Sequence, residues 1–361
     1  MRNPTTADFG TEAQEFLIRL NWPLLWPAVG LTPETLKRYC FFKRCNAKEG
    51  KMNNIDVVVI GRSCLDYLAV VNRFPAENQK LPLEFRLTEG GGQGGTSSCC
   101  IARLGGRVAY VGKLGNDDEG RFCLKRLEDF SVTTEFVEIV SGGKTPVAYV
   151  FITADSGARS IIYERNTLPK IRIDATLKKL VAQTVVALLD PEVTYLGEQL
   201  KKVAGSSVNI IYDSERWREG IEDIMNTADY FIPSSEFLEA DELQFHDMSF
   251  NQRIIKLNNR VAGNLIVTHG EKGAYYIADE TLYHVPVPEV NAVDTVGAGD
   301  NFHAAFALAL SKGFDINQMV KFSVAVASLS CREYGGRSGL PDWKQALTAA
   351  ETLKERKIES I

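Results

Sequence analysis

Residues 55–71 read IDVVVIGRSCLDYLAVV, and the first half of that stretch decides the fold. Val57-Val58-Val59-Ile60 is a short β-branched run without polar interruption, closed off by Gly61. A strand apolar on both faces is what a parallel sheet covered by helices requires. Working outward, the same signature returns. Apolar runs at 108–112, 185–189, 208–212, 229–232 and 265–268 predict strands, and the segments 95–104, 119–129, 193–204, 217–227 and 250–262 between them are helix-compatible. Such alternation predicts an α/β fold with a mostly parallel central sheet sandwiched by helices. Two stretches break the pattern: 81–89, and 147–164 (VAYVFITADSGARSIIYE), whose extended halves flank the hairpin signal Asp155-Ser156-Gly157. They predict a small β appendage whose pieces meet in space.

The 361 residues suffice for about two domains or one large α/β unit. With 41 basic against 46 acidic residues the net charge is −5, and no run of like charge is long enough to track a phosphate backbone, so no nucleic acid partner is expected. Four histidines leave little room for a histidine-built metal centre. The cysteines Cys40, Cys45, Cys64, Cys99, Cys100, Cys123 and Cys331 form no C-x-x-C pair and read as reduced thiols of a cytoplasmic protein. Segment 22–29, WPLLWPAV, is short and broken by Pro23 and Pro27, so no membrane span is expected. Residues 1–51 lack the alternation. Codons for Lys48-Glu49-Gly50-Lys51 can spell a bacterial ribosome-binding site ahead of Met52, which makes 1–51 a translated leader and 52–361 the domain. The alternative is a poorly ordered N-terminal extension that packs Trp26 and Phe41 on the body.

Three glycine clusters could hold a ligand: 90–95 (GGGQGG), 268–273 (THGEKG) and 294–300 (DTVGAGD). The common nucleotide fingerprints fail. A P-loop at Gly143-Lys144-Thr145 would need glycine where Glu138 stands, and the dinucleotide pattern starting at Gly297 meets Phe302. Residues 294–310 instead offer a glycine turn feeding a helix, with Phe302, Phe306 and Ala309 at helical spacing and a stop at Gly313. The free N–H groups of a first helical turn bind anions. Asp300 in that turn would repel a phosphate unless its task is to take a proton from an attacking hydroxyl. An anion cradle beside a base is the minimum equipment for phosphoryl transfer to an alcohol. Spacing alone leaves a second role open, that of a helix N-cap.

Asp294 to Asp300, with Gly91-Gly92-Gln93-Gly94-Gly95 and Ala102-Arg103-Leu104-Gly105 upstream, resemble the two signatures of the ribokinase-like (PfkB) carbohydrate kinases. The resemblance extends over 54–345, because Gly61 to Asp66, Gly115 to Gly120, Thr268 to Gly273 and the late helix 317–331 follow in the family's order. It implies ATP-dependent phosphorylation of a sugar or similar alcohol under a β lid, here 81–89 and 147–164. Carried over by position, Asp300 is the base, and Gly297, Ala298 and Gly299 form the anion hole. Asp66, Gly91, Gly92, Gln93 and Thr96 border the sugar; Thr268, Gly270, Gly273, Thr295 and Ala327 (in the small apolar segment 324–330) border ATP. Glu236 stands on the Mg²⁺ side, and Asp294 with loop 332–338 marks the place of a monovalent cation such as K⁺. A homodimer through exposed lid edges is the assembly that lid strands favour.

The departures concern the sugar. Thr96 stands where the family usually has Asn, Gln93 where many members have Lys, and Pro233-Ser234-Ser235-Glu236 keeps only the Glu of the N-x-x-E motif. The ending Gly335-Gly336-Arg337-Ser338-Gly339-Leu340-Pro341 resembles the ketohexokinase-like and sulfosugar kinase branch, which points to a ketose or modified hexose. Lys80 and Arg337 are the cations available to an anionic substituent, although each reads first as a solvated surface charge. The rival readings are a nucleoside or sugar-acid kinase of the same fold and a noncatalytic sugar or nucleotide sensor.

Overall fold

Four consecutive apolar side chains leave β1 (Val57–Ile60) without a polar face, and the strand is buried on both sides. The computed structural model describes residues 55–205 and 207–361, so the expected leader or extension, with Trp26, Phe41 and Met52, lies outside the described residues. After β1 come β2 (Cys64–Val71), β3 (Phe85–Gly91), α1 (Gln93–Arg103), β4 (Val108–Gly115), α2 (Asp118–Asp129) and β5 (Val137–Val140). The hairpin β6 (Val147–Thr153) and β7 (Arg159–Tyr163) follows, then α3 (Ala175–Ala182), β8 (Val186–Leu189), α4 (Gly197–Ala204), β9 (Asn209–Ser214), α5 (Ile221–Thr227) and β10 (Tyr230–Pro233). The last third holds α6 (Phe250–Asn258), β11 (Asn264–Thr268), β12 (Ala274–Ala278), β13 (Thr281–Val285), α7 (Ala298–Ser311), α8 (Ile316–Ser330), α9 (Trp343–Thr352) and β14 (Arg356–Ser360).

The main sheet has the order β14-β13-β12-β11-β10-β9-β8-β1-β4-β5. Pairing is parallel from β11 through β5 and antiparallel from β11 through β14. Because side chains alternate along a strand, Val57 and Val59 join one apolar cluster with α1, α7, α8 and α9, while Val58 and Ile60 join another with α3, α4, α5 and α6. The predicted sandwich is therefore present. Helix α7 is buried from Asn301 through Ala309, as an all-round apolar helix must be.

The appendage is a second sheet, β3-β2-β6-β7. Its central strand β2 was not among the expected elements, since Asp66 and Tyr67 interrupt the apolar alternation. It pairs antiparallel with β3 and parallel with β6. The inner face, Leu68, Val70, Val150 and Ile152, packs on Val296 and Tyr334 of the main body. The outer face exposes Tyr67 and Tyr149, stacked 5.6 Å apart, beside Ile162. Three expected helices are shorter. The first turns of 193–204 are a 3₁₀ segment, Pro191–Leu196, in which Val193 leaves helical geometry. Segment 217–227 becomes helical only after Gly220, whose φ of 80° no helix accepts. Segment 250–262 stops at Asn258, where the Arg260 amide turns back to the Leu257 carbonyl at 2.8 Å to enter β11.

Candidate active site

The parallel strands end along one edge, where open α/β sheets leave a crevice. Asp190 directly follows β8, Asp213 lies near the end of β9, Ser234 follows β10, and Thr268 ends β11 and bridges to Ser234. Helix α7 brings its N-terminus to this edge. His303 on its second turn sets Nδ1 2.7 Å from the Gly299 carbonyl and Nε2 3.0 Å from the Ile232 carbonyl, with Asp213 Oδ1 3.5 Å from Nε2. Burial pulls the His303 pKa down, opposed by its contacts with both carbonyls and with Asp300.

The turn before α7 depends on Gly297. Its φ is 72°, and a Cβ there would lie 2.9 Å from Gly336 Cα. Gly297 is itself the N-cap and offers no side chain, so Asp300 is the third residue of the helix and the N-cap reading of it falls. The Ala298 amide closes onto the Thr295 carbonyl at 3.3 Å, whereas among the described residues the amides of Gly297 and Gly299 have no backbone acceptor. The turn is clamped to the 335–338 loop. Asp294 accepts the amides of Val296 (2.9 Å) and Gly335 (2.7 Å), and buried Asn301 donates to the Gly336 carbonyl at 3.0 Å. Burial raises the Asp294 pKa against these bonds.

Asp300 is half-buried and makes no hydrogen bond through its carboxylate among the described residues. Burial first, then the charges of Asp213, Asp190 and Asp66, push it up to about 8, with His303 pulling the other way. An acid so placed holds its proton near neutrality unless a cation joins the site. Asp190 is likewise raised by burial, to about 6, and Asp213 well above its usual range.

Asp66 is on the inner face of the lid. Burial raises its pKa, while a hydrogen bond from the Cys64 thiol (3.1 Å) and the Arg337 charge oppose the rise. The upstream glycine cluster is its socket. A Cβ at Gly91 would fall 2.0 Å from the Asp66 carboxylate; at Gly90 and Gly95 it would fall 2.5 and 2.7 Å from the Arg337 guanidinium. Arg337 is 2% exposed, which overturns the reading of a solvated surface charge. Its Nη2 donates to the Gly91 carbonyl at 3.0 Å, and Nε and Nη1 have no partner among the described residues. Lys80 is exposed in the loop between β2 and β3. Gln93 opens α1, half-buried after Gly92, and buried Thr96 sets its methyl 3.2 Å from the Cβ position of Gly297. The start of α1 and the 294–300 turn thus lie side by side.

The other end of the edge is looser. Gly270 starts a short 3₁₀ turn, and buried Gly273 ends it with φ 97°. Ala327 is half-buried on α8, packed against the main core. Glu236 is exposed at the head of the 3₁₀ turn after β10, with no ion pair among the described residues.

Across this whole region, residues 54–343 match the pfkB family carbohydrate kinase profile. The chain belongs to the PfkB carbohydrate kinases. Such an enzyme transfers a phosphoryl group to a hydroxyl of a sugar or nucleoside. The kinase is 28% identical to the ribokinase of Bacillus subtilis over 290 residues, covering 79% of this chain and 96% of that one. It is also 28% identical to the deoxyribokinase of Salmonella typhi over 299 residues, 81% and 97% of the two chains. The structure of Arabidopsis thaliana ribokinase complexed with ribose and ATP superposes with a TM-score of 0.69 at 25% identity, over 82% of this chain and 99% of that one.

Two acids of the kinase site were not foreseen, although each has a sequence signal: Asp190 and Asp213 follow apolar runs at strand ends. The P-loop look-alike is structural. Thr145 accepts the Gly115 amide at 2.8 Å and bonds Asp117, the cap of α2. Among the described residues no helix is long and apolar enough to cross a membrane.

Proposed function

We propose that this PfkB kinase transfers the γ-phosphoryl group of ATP to a hydroxyl of a ketose or modified hexose, with Asp300 as the proton acceptor. The observation carrying this reading is the half-buried carboxyl of Asp300, near the free amides of Gly297 and Gly299 and coupled to Asp66 on the lid. In the reaction the bond from the γ-phosphorus to the bridging oxygen breaks and one to the sugar oxygen forms. The hydroxyl proton passes to Asp300, and ADP leaves with the electron pair. An alcohol is far less acidic than a carboxylic acid, so the proton moves late.

In this reading the amides of Gly297, Ala298 and Gly299 face the travelling phosphoryl, Asp66 accepts hydrogen bonds from the sugar, and Gly91, Gly92, Gln93 and Thr96 line its pocket. Thr268, Gly270, Gly273, Thr295 and Ala327 border the nucleotide. The lid excludes water and so suppresses idle ATP hydrolysis. Mg²⁺, when bound with the nucleotide, neutralises its terminal phosphates. The donor set suits that ion, because Mg²⁺ is held by one or two carboxylates plus phosphates and waters, and the charges of Asp213 and Asp190 add to burial in raising Asp300. Glu236 and Asp213 would hold it. Asp294, with its pKa raised against two amide bonds, is the acid for a K⁺ beside the turn. The apolar outer face of the lid supports a homodimer, and the reduced cysteines a cytoplasmic location.

The curated relatives are named for ribose and deoxyribose, so pentoses compete with ketoses as acceptors. A panel of pentoses, ketohexoses, modified hexoses and nucleosides with ATP and Mg²⁺, read as ADP release, tests the assignment. Fastest turnover on a ketose or modified hexose is the expected result; preference for ribose would move the substrate to the relatives' class.

A further inference from the structure

The acids at the carboxyl edge pose a problem for an incoming polyanion. Asp213, Asp190 and Asp66 all act on Asp300, so a phosphoryl group placed there arrives among four acids. The nearby cations of the main body and the sugar socket face other groups. Arg126 holds Glu89, Arg62 faces Glu192 and Asp190, Arg218 acts on Asp213, and Arg337 is buried against the Gly91 carbonyl. Among the described residues, the cation bonded to the 293–300 turn comes from the lid: Arg159 Nη1 donates to Thr295 Oγ1 at 2.9 Å. The hairpin tip is seated there as well, for a Cβ at Gly157 would lie 3.3 Å from the Val293 carbonyl. Arg159 starts β7, is exposed, and among the described residues has four of its five N–H donors uncommitted.

We propose that Arg159 is a catalytic residue, a lid-borne guanidinium that contacts the terminal phosphate of the nucleoside triphosphate as it moves to the sugar. The inference rests on the proposed transfer at Gly297–Asp300. As the phosphorus–oxygen bond to ADP breaks and that to the sugar forms, charge spreads over the phosphoryl oxygens. A planar fork two residues before the anion turn can meet two of them. Since Arg159 belongs to the lid that carries Asp66, the cation is in place only when the lid is down. Sugar occupancy and phosphoryl transfer are thereby coupled.

The test compares wild type, Arg159→Lys and Arg159→Gln with the best acceptor of the panel. For Arg159→Gln a kcat loss of at least ~10²-fold is expected, the usual cost of removing one transition-state donor, with the sugar KM within about threefold. Millimolar guanidinium should restore part of the loss, and Arg159→Lys should fall between. Calorimetry supplies an arm independent of the acceptor: Arg159→Gln should lose affinity for Mg-ADP-aluminium fluoride, a phosphoryl mimic, while binding Mg-ADP like wild type. An unchanged kcat overturns the proposal, as does wild-type affinity for the mimic. A rise confined to the sugar KM would place Arg159 on the sugar instead. Equal, unrescued losses in both variants with a lower melting temperature would make it a structural latch. If wild type releases no ADP with any acceptor while the mimic still discriminates Arg159→Gln, only the acceptor assignment fails.

Discussion

Glu89 lies on the lid strand β3 and Asp300 in the first turn of α7, and their electrostatics run in opposite directions. Glu89 is the more buried at 6% exposure, yet its pKa is lowered. Burial alone would raise it, but Arg126 grips it with two 2.7 Å bonds and the Gly90 amide adds a third at 2.8 Å. Asp300 is less buried and has no such partner; burial and neighbouring acids raise it to about 8. Satisfied hydrogen bonds outweigh burial at the carboxylate that holds the lid, and burial prevails at the one equipped to accept a proton.

The largest effect that would break this contrast is on turnover. Asp300→Asn should cut kcat by at least ~10²-fold, the lower end for losing a general base, with ATP affinity within a few-fold of wild type by calorimetry. Near-normal turnover would leave Asp300 as no more than a helix residue. Asp66→Asn should act on binding, raising the sugar KM by roughly tenfold or more, the cost of a hydrogen bond to a charged group, with a smaller change in kcat.

Glu89→Gln tests the other carboxylate. It should cost about 2 kcal/mol in urea unfolding at pH 7, because Arg126 loses its charged acceptor. As the folded pKa of Glu89 is lowered, this contribution is present above the ordinary Glu value and disappears as pH falls through the folded one, so variant and wild type should converge in acid. Asp213→Asn should do the reverse on a smaller scale. Asp213 is raised in the folded state, so its stability contribution is full below the ordinary Asp value and lost as pH rises. The variant should melt roughly 1–2 °C higher at pH 8, about 1 kcal/mol for a chain of this size, and match wild type near pH 4.

Much of the site was legible in the sequence because it rests on backbone. The Asp294–Asp300 turn needs glycine at a left-handed position and a helix behind it, and both are local signals. The alternation of apolar runs located the parallel sheet for the same reason. Strand β2 was hidden, since its register is set by β6, about eighty residues away, and its own pattern is broken by Asp66 and Tyr67. Arg337 illustrates the same limit. Only the assembled fold brings it onto Gly90, Gly91 and Gly95, so a lone arginine in a glycine loop reads as surface charge until its socket is seen.

The most direct test is the pH dependence of kcat/KM for the acceptor sugar, which reports ionisations of the free enzyme. A catalytic base at Asp300 predicts an acid limb that falls tenfold per unit below the base's pKa and is absent in Asp300→Asn; Mg²⁺ at the site draws that pKa down from about 8. An acid limb that Asp300→Asn retains unchanged would contradict the account.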